Sequence, residues 1–146
     1  MATHHYIPAI YTVSIEVQKS PEHVFTQVID LASWWPEEFL GESLKPNSEF
    51  VLQSGGGEHY SKNKVIEWIP AQKFTWLTLD SIRKSDDYHW TGTKFIFELT
   101  PKSDGTLVRV TYDGIVGEHD YNRMVQACDL TIKDFLYKFI TSGKEK

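Results

Sequence analysis

The feature that most restricts this chain is a change of period near Asp120. From there Tyr121, Val125, Cys128, Ile132, Phe135 and Phe139 recur every three or four residues, with Asp129, Lys133, Asp134 and Lys138 among them. That spacing predicts one amphipathic helix of about five turns, because residues three and four apart share a helix face. Gly143 supplies its stop, since a residue free to turn left-handed ends a helix readily. Upstream of Asp120 the apolar residues recur mainly in period two, so this one helix must cover an apolar sheet.

The strands are read from that alternation. Ile10 to Val17 sets Tyr11, Val13, Ile15 and Val17 against Thr12, Ser14 and Glu16. Glu49 to Gln53 and Lys62 to Ile69 read as strands, the first ending at a Gly55-Gly56-Gly57 hairpin loop and the second at Pro70. Lys73 to Ile82 is rich in β-formers and runs into a polar loop, Arg83 to Asp87. Thr93 to Thr100 sets Phe95, Phe97 and Leu99 against Lys94, Ile96 and Glu98, and Thr106 to Ile115 sets Val108, Val110 and Tyr112 against Arg109, Thr111 and Asp113. Pro101 to Gly105 joins them as a hairpin turn.

Two short helices follow the first strand. Ser20, Pro21 and Glu22 supply an N-cap, a first-turn proline and an acid at the positive helix end, and Asp30 to Pro36 carries a further turn ending at Trp34 and Trp35. The predicted fold class is α+β: a curved antiparallel β-sheet wrapped around a long C-terminal α-helix, one domain over residues 1–146 with its core at about 10–141. A strongly curved sheet meets a single helix along one line and leaves space at one end.

Composition narrows what such a domain does. A net charge of -5 and no clustered Lys or Arg oppose nucleic-acid binding, which needs a concentrated basic face. Cys128 is the only cysteine, so no internal disulfide forms and a reducing compartment is expected. Met1 to Pro8 has no basic segment followed by an apolar one, and no apolar run reaches the roughly 18 residues of a membrane span. A cytoplasmic location is expected. Five Trp, seven Tyr and eight Phe must either pack together or line a pocket.

Several segments resemble a known family. Ser20-Pro21-Glu22-His23-Val24-Phe25, Trp34-Trp35-Pro36, and Lys64-Val65-Ile66-Glu67-Trp68-Ile69-Pro70 leading into Phe74-Thr75-Trp76 are similar to the activator of Hsp90 ATPase homologue 1-like family of the START-like (SRPBCC) superfamily. Thr93 to Pro101 and Asp104 to Thr111 fit the same pattern, and the likeness extends from about Tyr11 to Phe139. The resemblance implies the helix-grip, START/Bet v 1-like fold, in a superfamily of lipid and hormone binders, polyketide cyclases and chaperone-associated domains. Where the family often carries a Gly-Gly turn, this chain has Asn47-Ser48, so that turn is expected to differ. The eukaryotic Hsp90 activators resemble the chain only in their C-terminal domain, which weighs against a chaperone partner.

Candidate cavity residues are Trp35, Trp68, Trp76, Trp90, Phe95, Phe97 and Tyr112 from the front of the chain, with Val125, Cys128 and Ile132 from the helix. The alternative for each is plain core packing. Trp34 and Trp35 either form a lip over the cavity or staple a short helix to the sheet. No catalytic residue is assigned, because no GxSxG elbow, P-loop lysine or GxGxxG fingerprint occurs. Asp80, Arg83, His89, Glu67, Arg109 and Asp113 face solvent unless a bulge shifts their phase. No metal is expected: adjacent His4 and His5 would point apart, no HExxH pair occurs, and Cys128 has no cysteine partner.

The expected function is binding of a small hydrophobic or aromatic ligand between sheet and helix, without a cofactor. The alternatives are a cyclase or dehydratase acting in the same cavity and a chaperone-associated interaction module. Outward-pointing Ile96 and Leu107 leave a homodimer through the sheet open.

Overall fold

The computed structural model describes residues 5–146, so the expectation for His4 lies outside it. Strand β1 (Tyr6–Val17) leads into helices α1 (Pro21–Val28) and α2 (Leu31–Trp34). Strands β2 (Glu38–Gly41), β3 (Glu49–Ser54), β4 (His59–Ile69), β5 (Lys73–Arg83), β6 (Lys94–Lys102) and β7 (Gly105–Gly117) follow. The chain closes with α3 (Tyr121–Asp129), a π-helical stretch (Leu130–Leu136) and α4 (Tyr137–Ser142), whose junction residues all keep right-handed helical backbone angles. One long helix therefore ends the fold, stopped at Gly143 with φ 70°.

The seven strands form one antiparallel sheet in the order β1-β7-β6-β5-β4-β3-β2, which leaves β1 and β2 as edges. Its concave face carries the predicted alternation: Val13, Ile15 and Val17 of β1, Phe97 and Leu99 of β6, and Val108, Val110 and Tyr112 of β7 are buried. The helix lays Ile132, Leu136, Phe139 and Ile140 on that face.

Local chemistry explains the helices. The Ser20 hydroxyl accepts the His23 N–H at 3.2 Å, capping α1, and Val24, Phe25 and Val28 turn inward. Trp34 is fully buried, with its indole N–H donating to the Val28 carbonyl at 3.1 Å and its ring edge-on to Phe97. Trp34 is thus the staple that fixes α2.

Two features differ from the expectation. Strand β2 has no signal in the sequence, because four half-buried or exposed residues on an edge carry no alternation. Gly41 ends it at φ 107°, where a Cβ would sit 2.6 Å from the Glu49 carbonyl oxygen. In the long helix the π-helical stretch rotates the apolar face, so Leu136 and Ile140 are buried while Val125 and Phe135 are only half-buried. Asn47 adopts φ 63°, which asparagine tolerates better than most residues, and so turns the chain where the family often uses glycine.

Candidate functional site

An open cavity of about 210 Å³ lies between the sheet and the start of α3. Its floor is aromatic. Trp76 stacks on Phe95 with centroids 5.0 Å apart, Trp35 meets Trp76 edge-on at 5.4 Å, and Phe95 meets Tyr112 edge-on at 5.4 Å. Such contacts each add about 0.5–1.5 kcal/mol to area burial, so this floor is rigid. Met124, Ala127 and Cys128 form the helix wall, and a smaller cavity of about 80 Å³ behind Trp35 and Phe95 reaches Ile132.

The predicted residues divide accordingly. Trp35, Trp76, Trp90, Phe95, Tyr112 and Cys128 line the larger cavity, and Ile132 lines the smaller one. Three lie elsewhere. Trp68 meets Phe25 edge-on at 5.2 Å, under α1, and Phe97 is fully buried between Trp34, Phe74 and Trp76. Val125 lines neither cavity, because Met124, Ala127 and Cys128 share the helix face turned to the larger one and Val125 lies to one side of that face.

The rim is polar, and a parity fault in β5 builds part of it. Thr78 pairs with Asn63 and Asp80 with Lys62, which leaves Leu79 as an extra residue. Plain alternation from Phe74, Trp76 and Thr78 would turn Asp80 and Ile82 inward. With Leu79 bulged out, Ser81 and Arg83 are buried instead and Asp80 is exposed. Of the six ionisable candidates, Arg83 is the one that lines the cavity. Glu67 pairs with Lys73 at 3.2 Å and lies elsewhere, as do His89, Arg109 and Asp113.

Arg83 is held by charge. Its guanidinium donates to both carboxylate oxygens of Asp86, donates to Asp120 Oδ2 at 3.3 Å, and sits 4.5 Å over the Tyr88 ring. Asp120 precedes α3, so this pair ties the β5–β6 loop to the long helix. The Asp86 hydrogen bond and charge outweigh the cost of burial and raise the Arg83 pKa further. The Tyr88 hydroxyl accepts the Gly117 N–H at 3.1 Å, pinning the same loop to β7.

Burial sets the acidity of the wall. Desolvation raises the Tyr112 and Tyr88 phenols and pushes the Cys128 thiol up to about 12. Beside the smaller cavity, Tyr11 donates to Asp129 at 2.6 Å, and that hydrogen bond with burial pushes its phenol up to about 12.

The sequence reading missed Glu37, His59, Ser61, Asn63, Thr78, Asp120 and Arg123 among the lining residues. Ser61 and Asn63 were detectable in principle, since they share the inward phase of Val65 on β4. Among the described residues no three His, Cys, Asp or Glu side chains are placed to hold a metal ion, and no helix is long and apolar enough to cross a membrane.

No curated protein matches the chain in sequence. An uncharacterized protein from Rhizobium leguminosarum has a similar structure, with TM-score 0.73 and 12% identity over 95% of this chain and 98% of that one. The Aha1 dimer from Colwellia psychrerythraea superposes with TM-score 0.67 and 22% identity, covering 93% of this chain and 98% of that one. DynU16, from the dynemicin biosynthetic locus, gives TM-score 0.66 and 17% identity over 93% of this chain and 48% of that one. These likenesses establish the helix-grip fold. The model of the family described as activator of Hsp90 ATPase homolog 1-like protein matches residues 20–139, and the chain belongs to that family.

Proposed function

We propose that this protein binds a small, mainly apolar, ring-bearing molecule in the cavity at the open end of the helix grip. The observation that carries the reading is the rigid aromatic floor of Trp35, Trp76, Phe95 and Tyr112 beneath a rim of polar side chains. Apolar walls with a few convergent polar groups are the usual make-up of small-molecule sites. At about 210 Å³ the cavity is below the roughly 300–1,000 Å³ of drug-sized sites, so a ligand of one or two rings fits best. The origin of DynU16 in a biosynthetic locus also supports a small-molecule role.

Among the predicted cavity residues, none is suited to proton transfer near neutral pH. Burial makes Tyr112 and Cys128 weaker acids, and Arg83 is engaged by two carboxylates. With only one cysteine, and that one buried, we expect the protein in the cytoplasm.

Thermal unfolding with a panel of one- and two-ring compounds tests the reading. A ligand at 100 times its dissociation constant adds about 2.7 kcal/mol, and the melting temperature should climb with concentration. A melting temperature that no compound moves would sink it.

A second reading concerns assembly. The Colwellia relative is a dimer, and here edge strand β1 carries no charged residue from Tyr6 to Ser14 and exposes 68% of Ile10. Pro8 blunts the start of this edge, but the uncharged stretch from Ile10 to Ser14 beyond it leaves its backbone open to pairing, so we propose a homodimer through that part of β1. Sedimentation should show a dimer that Ile10→Lys converts to monomer; a wild-type monomer at high concentration would refute it.

A further inference from the structure

Three polar side chains in the cavity wall form a hydrogen-bond chain with a fixed direction. Ser61, Asn63 and Thr78 are 5%, 1% and 1% exposed, all three line the cavity, and Asn63 and Thr78 are direct cross-strand partners. The Thr78 hydroxyl donates to Asn63 Oδ1 at 2.8 Å. The Asn63 amide nitrogen donates to the Ser61 carbonyl oxygen at 3.3 Å and to Ser61 Oγ at 3.0 Å.

The Ser61 carbonyl sets the direction. A backbone carbonyl can only accept, so the amide nitrogen of Asn63 must face it and the amide oxygen must face Thr78. Ser61 Oγ therefore receives a proton from Asn63 and cannot return its own to that nitrogen. Among the described residues, the Ser61 hydroxyl hydrogen has no acceptor. It is a donor on a buried wall, beside an aromatic floor, with its acceptor to come from the cavity.

We propose that the Ser61–Asn63–Thr78 relay selects ligands carrying a hydrogen-bond acceptor oxygen on an otherwise apolar ring system, such as an aryl ketone. This rests on the ligand-binding reading above and deepens it. Each donation polarises the next, which strengthens the last donor. A hydrocarbon of the same shape leaves the Ser61 donor unpaired once water is expelled, and a donor group at that position faces another donor. Ser61 and Asn63 are thus specificity-determining residues.

A matched pair of probes tests the relay: 2-acetylnaphthalene and its near-isostere 2-isopropenylnaphthalene, titrated by calorimetry into the wild-type protein and into Ser61→Ala. Wild type should prefer the ketone by roughly three- to tenfold, the worth of one net hydrogen bond. Ser61→Ala should lose that preference by weakening the ketone alone. Thr78→Val gives a second route should Ser61→Ala fold poorly. It removes the first donation of the chain, so the Asn63 amide and the Ser61 hydroxyl become weaker donors, and it should also reduce the preference.

Equal affinity for the two probes in wild type, or a preference that survives both substitutions, overturns the relay while leaving the cavity reading intact. If neither probe binds wild type, the cavity reading falls and the relay falls with it.

Discussion

Single side chains here are explained by which side of the cavity wall they occupy. Cys128 is 8% exposed and lies beside Met124, with Sγ 3.7 Å from that sulfur. Its thiol, pushed up to about 12 by burial, carries almost no thiolate near neutral pH. Iodoacetamide at pH 8 should therefore label the native protein at least a hundredfold more slowly than the urea-unfolded chain, as read by intact mass. Comparable rates would mean the helix wall is open to solvent.

Tyr11 supplies a pH signature. Folding raises its pKa from 10.0 to about 12, first through the hydrogen bond to Asp129 and then through burial. A raised pKa favours the protonated form in the folded state. The associated stability is complete below about pH 10 and is lost as the pH climbs toward about 12. Denaturant unfolding should show a decline across that window which Tyr11→Phe flattens; an unchanged slope in the variant would contradict the assignment.

At the scale of elements, the parity fault in β5 decides which charge reaches the cavity. Deleting Leu79 heals the bulge, because Asp80 then follows Thr78 in plain alternation and Ser81 and Arg83 keep facing inward. Deleting Ile82 instead turns Arg83 outward and separates it from Asp120. Loss of a largely buried guanidinium from its carboxylates should cost about 2–3 kcal/mol more than the Leu79 deletion in chemical denaturation, less than for a deeply buried pair because Asp86 remains 40% exposed. Equal losses would show that the fault is only local slack.

The same fault explains what could be read from sequence alone. Period two along β1, β6 and β7 and period 3.6 along the last helix show directly in Val13, Phe97, Val110 and Ile132, because those positions are apolar on one side and polar on the other. The cavity floor followed from the same rule. In its polar rim Asn63 and Thr78 share that phase but are residue types that usually face solvent, and Arg83 is out of phase altogether. Only the register between β4 and β5, a property of two strands together, turns Arg83 inward. Val125 was misplaced for a related reason: a π-helical stretch and the roll of the helix are set by packing and leave no local signature.

For the whole molecule, the grip is tight at one end and open at the other. Trp34, Phe74, Phe97, Leu136 and Ile140 fill the closed end without exposure above 2%. The open end carries the cavity, tied across by Arg83 to Asp120 and by Tyr88 to Gly117.

The most direct measurement is a titration with naphthalene followed by the indole N–H resonances of the five tryptophans. The account predicts concentration-dependent shifts at Trp35, Trp76 and Trp90, which line the cavity, and none at Trp68, which packs against Phe25 away from it. Shifts confined to Trp68, or no shift at any indole, would contradict it.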